Sequence, residues 1–81
     1  MEQQLRQPDK RVVGTKQVLR AVRGGKAACV YLCTDADDFI YRQVQAACEE
    51  NRVPVRVMDS MQELGKLSLV GVKTAAAAVL K

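Results

Sequence analysis

The sequence contains no histidine and no tryptophan among its 81 residues. Without histidine the chain cannot form a Ser-His-Asp or Cys-His catalytic group, or a zinc site that includes a histidine ligand. Aromatic residues make up only 4% of the chain, whereas an RNA-recognition motif stacks bases on aromatic side chains at set positions of its sheet. These absences exclude that motif and much conventional enzymology.

Long apolar segments are also missing. No run approaches the ~20 residues that a membrane-spanning helix needs, and the polar stretch 1–6 lacks the hydrophobic core of a signal peptide. We therefore expect a cytoplasmic protein that does not bind a membrane. The length allows one compact domain over residues 1–81, in which residues 1–9, interrupted by Pro8, form a loosely ordered N-terminal segment.

Cysteine is present in an odd number, at Cys29, Cys33 and Cys48, with no CxxC spacing. Cys29 and Cys33 lie in an apolar run that favours a strand, where four residues span about 13 Å. A disulfide requires Cα atoms within about 7 Å of each other. We therefore expect buried, reduced thiols, as is usual in cytosolic proteins.

Positive charge is concentrated at the two ends of the chain. Residues 1–26 carry seven bases and two acids, residues 27–63 carry three bases and seven acids, and the remainder carries three bases and no acid. Six bases occur between Lys10 and Lys26 without any carboxylate. A region of one sign attracts a polyanion, although a basic face that only maintains solubility is the alternative.

Hydrophobic periodicity predicts a helix, a strand, a helix, a strand, a helix and a last segment of ambiguous type. The first helix begins at Thr15, a plausible N-cap, and ends at Gly24-Gly25. The stretch 60–63 has the S-x-x-E spacing of a capping box, so Ser60 indicates the start of a short third helix. The uninterrupted apolar run 27–33 indicates a strand covered on both faces. The alanine-rich tail 74–80 suits either a helix or a buried strand. This order predicts a single-domain, three-layer α/β/α sandwich around a small mixed sheet.

The stretch around Gly14 is the most informative part of the sequence. A glycine permits close approach of the backbone, helix N-terminal amides favour phosphate oxygens or base acceptors, and Lys16 and Gln17 supply donors in the first turn. Arg20 lies on the same helical face as Lys16. The spacing fits neither a Walker A loop nor a dinucleotide-binding motif. A purely structural amphipathic helix is the alternative interpretation.

The carboxylates Asp35, Asp37 and Asp38 suggest a different function. They follow a strand predicted to be parallel, at the edge of the sheet where α/β enzymes often hold Mg²⁺. The simpler interpretation is that Asp35 or Asp37 caps the second helix and that the helix N-terminus stabilises the others.

Several short motifs follow one another from about Lys10 to the end of the chain: Gly14-Thr15-Lys16-Gln17 with Arg20, Asp35-Ala36-Asp37, Val53-Pro54-Val55, Ser60-Met61 with Leu64-Gly65-Lys66, and an alanine-rich finish. In this order they resemble the L7Ae/L30e ribosomal protein family, whose members bind kink-turn RNAs, and most closely its short bacterial members. The bacterial type has Lys-Gln at Lys16-Gln17, where archaeal members have Asn-Glu.

The resemblance implies how RNA would be bound. The turn of the first helix would enter a widened major groove at tandem sheared G·A pairs, with Lys16 and Gln17 facing guanine edges and Arg20 pairing with phosphate. Gly14 and Thr15 would present backbone and hydroxyl groups. A second contact would come from the loop before the last strand, including Val72, Lys73 and Thr74. In this chain that loop is about two residues longer than usual, and Lys73 stands where an acid is common.

The sequence thus predicts a non-enzymatic, monomeric RNA-binding protein without cofactor or metal. Its partner would be a kink-turn or similarly bent internal loop, in ribosomal RNA or in a riboswitch. Two other classes stay open: a Mg²⁺-dependent phosphate-handling enzyme centred on Asp35 and Asp37, and a protein-interaction module that uses the apolar loop before the last strand.

Overall fold

A computed structural model describes residues 5–67 and 74–81. A 3₁₀ turn, Pro8–Lys10, lies directly before the first strand. The strands and helices, in chain order, are β1 (Arg11–Val13), α1 (Thr15–Arg23), β2 (Ala27–Cys33), α2 (Asp38–Glu50), β3 (Val55–Met58), α3 (Met61–Leu67) and β4 (Ala76–Leu80).

The four strands form one mixed sheet in the order β1-β4-β2-β3. β4 pairs antiparallel with both β1 and β2, whereas β2 and β3 are parallel. α1 and α2 pack on one face of the sheet, and α3 packs on the other together with the fully buried Leu5. The predicted three-layer α/β/α sandwich around a mixed sheet is therefore confirmed.

Side chains alternate between two apolar clusters along the central strands, as the pleat of a strand requires. In β2, Val30 and Leu32 face the helices α1 and α2, whereas Tyr31 and Cys33 face α3. All four are at most 2% exposed. The apolar run 27–33 is uninterrupted in sequence because both faces of this strand are covered by helices.

The alanine-rich tail, ambiguous in sequence, is the strand β4. Alanine favours a helix, but β4 occupies the middle of the sheet, between β1 and β2. Ala76, Ala77 and Ala78 are fully buried, and their small side chains let helices approach both faces of the sheet. Hydrogen bonding to two neighbouring strands outweighs the local preference for a helix.

The strand β1 was not predicted. Only three residues long, it lies at the edge of the sheet, and Val12 is paired with Ala78 of β4. So short a segment shows no periodicity of its own, and its extended form depends on a partner almost seventy residues later in the chain.

Of three predicted helix caps, the structure confirms two and shows that one is wrong. Asp37 caps α2, because its Oδ1 accepts a hydrogen bond of 2.9 Å from the Phe39 N–H. At α3, the Ser60 hydroxyl accepts from the amides of the second and third helical residues. The prediction that Thr15 is an N-cap is wrong. Gly14 is the N-cap of α1, Thr15 is its first helical residue, and no side chain caps this end.

All three cysteines are buried free thiols, as predicted. The Cys33 Sγ–H donates to the carbonyl oxygens of Ser60 and Thr74, each at 3.4 Å. Burial, followed by the nearby carboxylates Asp35 and Glu63, raises the pKa of Cys33 to about 11. Burial also raises the pKa of Cys48 to about 11, with a smaller contribution from Cys29.

We predict that Asp37→Ala lowers the free energy of unfolding by about 1 kcal/mol, because it removes the N-cap of α2. Urea unfolding followed by circular dichroism measures the change. Asp38→Ala is the matched control, since it also removes a carboxylate from the start of α2, with an exposed ion pair worth about 0.3–0.5 kcal/mol, but leaves the cap in place. An Asp37→Ala protein as stable as the Asp38→Ala protein would contradict the assigned cap.

The buried thiols predict a loss of stability at high pH. A thiol of pKa 9.0 in the unfolded chain and about 11 in the folded protein gives up its proton first when unfolded. The unfolded state therefore binds fewer protons above pH ~9, and the free energy of unfolding falls as the pH rises toward about 11. We expect Cys48→Ala to lose less stability than the unaltered protein over this range in parallel urea titrations. Equal losses would contradict the raised pKa.

Candidate nucleic-acid interface

The start of α1 is fixed to the sheet through Gly14. Its N–H donates a 3.0 Å hydrogen bond to the Ala76 carbonyl of β4, and its carbonyl accepts one of 3.0 Å from the Val18 N–H. Its φ angle is +100°, a backbone conformation that residues with a Cβ rarely adopt. A Cβ there would meet no atom within 4 Å, so backbone conformation, and not lack of space, favours glycine.

The first turn of α1 has the properties of an anion-binding end. The amides of Thr15, Lys16 and Gln17 have no carbonyl partner within the helix, as at every helix N-terminus. No acidic residue lies in this first turn, and the N-cap glycine contributes no side-chain acceptor. The positive end of the helix dipole is therefore left without a carboxylate from its own turn.

The side chains of α1 divide between the core and the surface as predicted. Val18 and Val22 are fully buried and Leu19 is 7% exposed, whereas Lys16, Gln17, Arg20 and Arg23 are exposed. Five predicted site residues therefore lie together on the first two turns: Gly14, Thr15, Lys16, Gln17 and Arg20.

The predicted second contact is only partly within the described residues. Val72 and Lys73 lie outside them. Thr74 is 5% exposed, and its N–H donates to the Met61 carbonyl at 3.1 Å. It lies two residues before Ala76, whose carbonyl accepts the bond from Gly14. The chain thus enters β4 beside the start of α1.

Two recessed surfaces flank α1, and Arg20 lines both. One, between α1 and the edge of the sheet, has a volume of about 260 Å³ and is lined by Val12, Gln17, Arg20, Ala21, Gly24, Lys26 and Leu80. The other, between α1 and α2, has a volume of about 480 Å³ and is lined by Lys16, Leu19, Arg20, Arg23 and Gln43. We call the second surface the α1–α2 groove.

Neither of these two linings contains a carboxylate. Gln43 was not among the predicted site residues, because only packing of α2 against α1 brings it beside Arg20 and Arg23. The sequence does show that Gln43 is a polar residue on the second helix, next to the apolar Val44 that helps form the apolar face of that helix. Sequence spacing alone could not place it near α1.

The three carboxylates of the predicted rival site have separate partners. Asp35 accepts from the Met61 N–H through both oxygens, at 3.0 and 3.2 Å, Asp37 caps α2, and Asp38 forms a 3.1 Å ion pair with Arg42. Within residues 5–67 and 74–81, no group of three or more His, Cys, Asp or Glu side chains is placed to hold a metal ion. These contacts account for the carboxylates without Mg²⁺.

No helix in the described part of the chain is both long enough and apolar enough to cross a bilayer.

Several curated proteins are similar to this chain over nearly their whole length. An RNA-binding protein of Geobacillus kaustophilus is 48% identical over 75 residues, covering 93% of this chain and 92% of that protein. An RNA-binding protein of Caldanaerobacter subterraneus is 42% identical over 71 residues, covering 88% and 87% respectively.

Solved structures share the fold. The Giardia lamblia 15.5 kD RNA binding protein superposes with a TM-score of 0.89 at 30% identity, covering 99% of this chain and 68% of that one. A protein of unknown function from Bacillus halodurans superposes with a TM-score of 0.86 at 23% identity, which shows similarity of fold alone. The family model described as "Ribosomal protein L7Ae/L30e/S12e/Gadd45 family" matches residues 1–81, and this chain belongs to that family.

Proposed function

We propose that this protein binds RNA through the N-terminal turn of α1, and that its target is a kink-turn or a similarly bent internal loop. One observation carries the proposal: the turn at Gly14 combines helix amides that have no carbonyl partner within the helix, two exposed donor side chains and the exposed Arg20, with no acid in the first turn. Such a surface suits phosphate oxygens and the acceptor edges of bases.

The shape of α1 favours a distorted RNA over a regular duplex. A helix with its side chains is about 10–12 Å across, whereas the major groove of A-form RNA is too deep and narrow for side chains to read. A helix end can reach base edges only where the groove is widened, as at a sharp bend with non-canonical pairs. The few aromatic residues also argue against recognition by stacking on the sheet.

The relatives support RNA as the partner. The curated proteins similar to this chain over most of their length are named RNA-binding proteins, and so is the structural neighbour from Giardia lamblia. By its resemblance to the family, the chain would place Lys16 and Gln17 against guanine edges, Gly14 and Thr15 near the backbone, and Arg20 on a phosphate. Val72, Lys73 and Thr74 would form the second contact.

The protein acts in this proposal by binding and not by catalysis, as a cytoplasmic monomer without a cofactor. Its RNA is part of ribosomal RNA or of a riboswitch. Free buried thiols suit a reducing compartment. The alternative of a Mg²⁺-dependent enzyme at Asp35 and Asp37 has less support, because these carboxylates bond to backbone amides of different helices. The apolar loop on which a protein-interaction module would depend lies mostly outside the described residues, so that alternative stays a prediction.

Bent and straight RNA should be distinguished by the unaltered protein. We expect tighter binding, in a gel-shift titration, to a stem with tandem G·A pairs beside a bulge than to a fully paired stem of equal length. The reason is that only the bent RNA admits the end of α1. Equal affinity would reduce the interaction to nonspecific charge attraction and overturn the proposed target.

Lys16→Ala should weaken binding to the bent RNA by about 1–3 kcal/mol, or about 5- to 150-fold, if Lys16 contacts a base edge. Binding to the fully paired stem should change much less. Arg56→Ala is the matched control, because Arg56 is exposed on β3, at the far edge of the sheet from β1. If both variants lose affinity equally for both RNAs, Lys16 contributes only net charge.

A further inference from the structure

The α1–α2 groove is not explained by binding at the N-terminal turn. Its basic wall is formed by Lys16, Arg20 and Arg23, and its other wall includes Gln43 from α2. The lining residue Leu19 is 7% exposed and belongs to the core. The groove therefore has cations along one side, an amide donor on the other and a shallow apolar base.

The cations of this groove are regularly spaced along α1. At a rise of 1.5 Å per residue, Lys16, Arg20 and Arg23 lie about 6 Å and then about 4.5 Å apart along the axis. These separations are comparable with those of neighbouring phosphates in a nucleic-acid strand. Together the three side chains cover about 10 Å of the helix, leading away from its N-terminus.

No carboxylate in the described part of the chain forms an ion pair with these cations. The ion pair found among the described residues joins Arg42 to Asp38. Lys16, Arg20 and Arg23 take no part in it. Like charges at i and i+4 destabilise a helix slightly, so Lys16 and Arg20 together bring the fold no gain. Arg20 and Arg23 do lie in the last turn of α1, where a cation stabilises the helix through its dipole. The experiment must therefore distinguish this stabilising effect from a contact with RNA.

We propose that the α1–α2 groove is a second RNA subsite, which holds the sugar-phosphate backbone of the stem adjoining the bent loop. Arg23 and Gln43 are its additional contacts. This inference rests on the proposed function, because Lys16 belongs both to the N-terminal turn and to the groove and so joins the two surfaces. The guanidinium groups donate to phosphate oxygens, and the Gln43 amide donates from the opposite wall.

The subsite recognises the backbone and not the base sequence. Its lining offers donors to phosphate but no deep apolar pocket or aromatic ring that could hold a base. The groove on the other side of α1 fits this role less well, because Val12, Ala21, Gly24 and Leu80 supply much of its lining.

The test compares Arg23→Gln and Gln43→Ala with the control Arg56→Gln, on three RNAs. The first RNA carries full stems on both sides of the bent loop, and in each of the other two RNAs one stem is cut back to the pairs that hold the bend. We expect Arg23→Gln to weaken binding to the full RNA by about tenfold and to lower the slope of log K against log salt by about 0.7–0.9. Gln43→Ala should weaken it less, without changing that slope.

The effect of Arg23→Gln should disappear when one particular stem is shortened, because the phosphate it contacts is then absent. An equal loss on the full and on both shortened RNAs, or a loss no greater than that of Arg56→Gln, would overturn the subsite. A thermal melt of each variant, with binding measured well below the melting temperature, distinguishes a role of Arg23 in stabilising α1 from a role in RNA binding. Loss of stability with unchanged RNA binding would also overturn it.

Two further outcomes are distinguishable. If the unaltered protein binds bent and fully paired RNA equally, the proposed function itself fails, and this result is independent of the Arg23 variant. If polyglutamate displaces the full RNA at a lower concentration than the isolated stem does, the groove accepts an acidic protein segment, and the RNA subsite is overturned.

Discussion

The hydrogen bond from the Gly14 amide to the Ala76 carbonyl fixes the arrangement on which the candidate interface depends. It attaches the first residue before α1 to the central strand β4, so that the open end of the helix lies at the sheet and cannot turn into the core. Because Gly14 adopts a positive φ, the chain can leave β1 and enter α1 within one residue. The amides of the first turn, which have no carbonyl partner within the helix, then lie at this open end, where an anion can reach them.

α1 serves the core and the surface with different side chains. Val18 and Val22 anchor it in the cluster on one face of the sheet, while Lys16 and Arg20 are exposed and form no ion pair with a described carboxylate. The core is therefore built by the apolar residues, and the outer face carries the charge. The carboxylates Asp35, Asp37 and Asp38 lie away from α1 and make their contacts at the starts of α2 and α3.

Most helices and strands could be predicted because their signals are local. The span 27–33 was predicted with its observed bounds, since a strand covered on both faces must be apolar at every position. Asp37 and Ser60 identified two helix starts through side-chain oxygens that accept from nearby amides. The same reasoning gave the wrong cap at Thr15. Its hydroxyl is typical of an N-cap, but the preceding Gly14 occupies that position.

The amphipathic first helix, its basic outer face and the glycine at its start could be predicted from the residues alone, because each depends on positions close together in the chain. Three other features became apparent only from the fold: the alanine-rich tail is a strand, Val12 belongs to a sheet, and Gln43 lies opposite Arg23. These features depend on pairing and packing between residues far apart in the chain, where local preference is weak and the partner supplies the hydrogen bonds or the second wall.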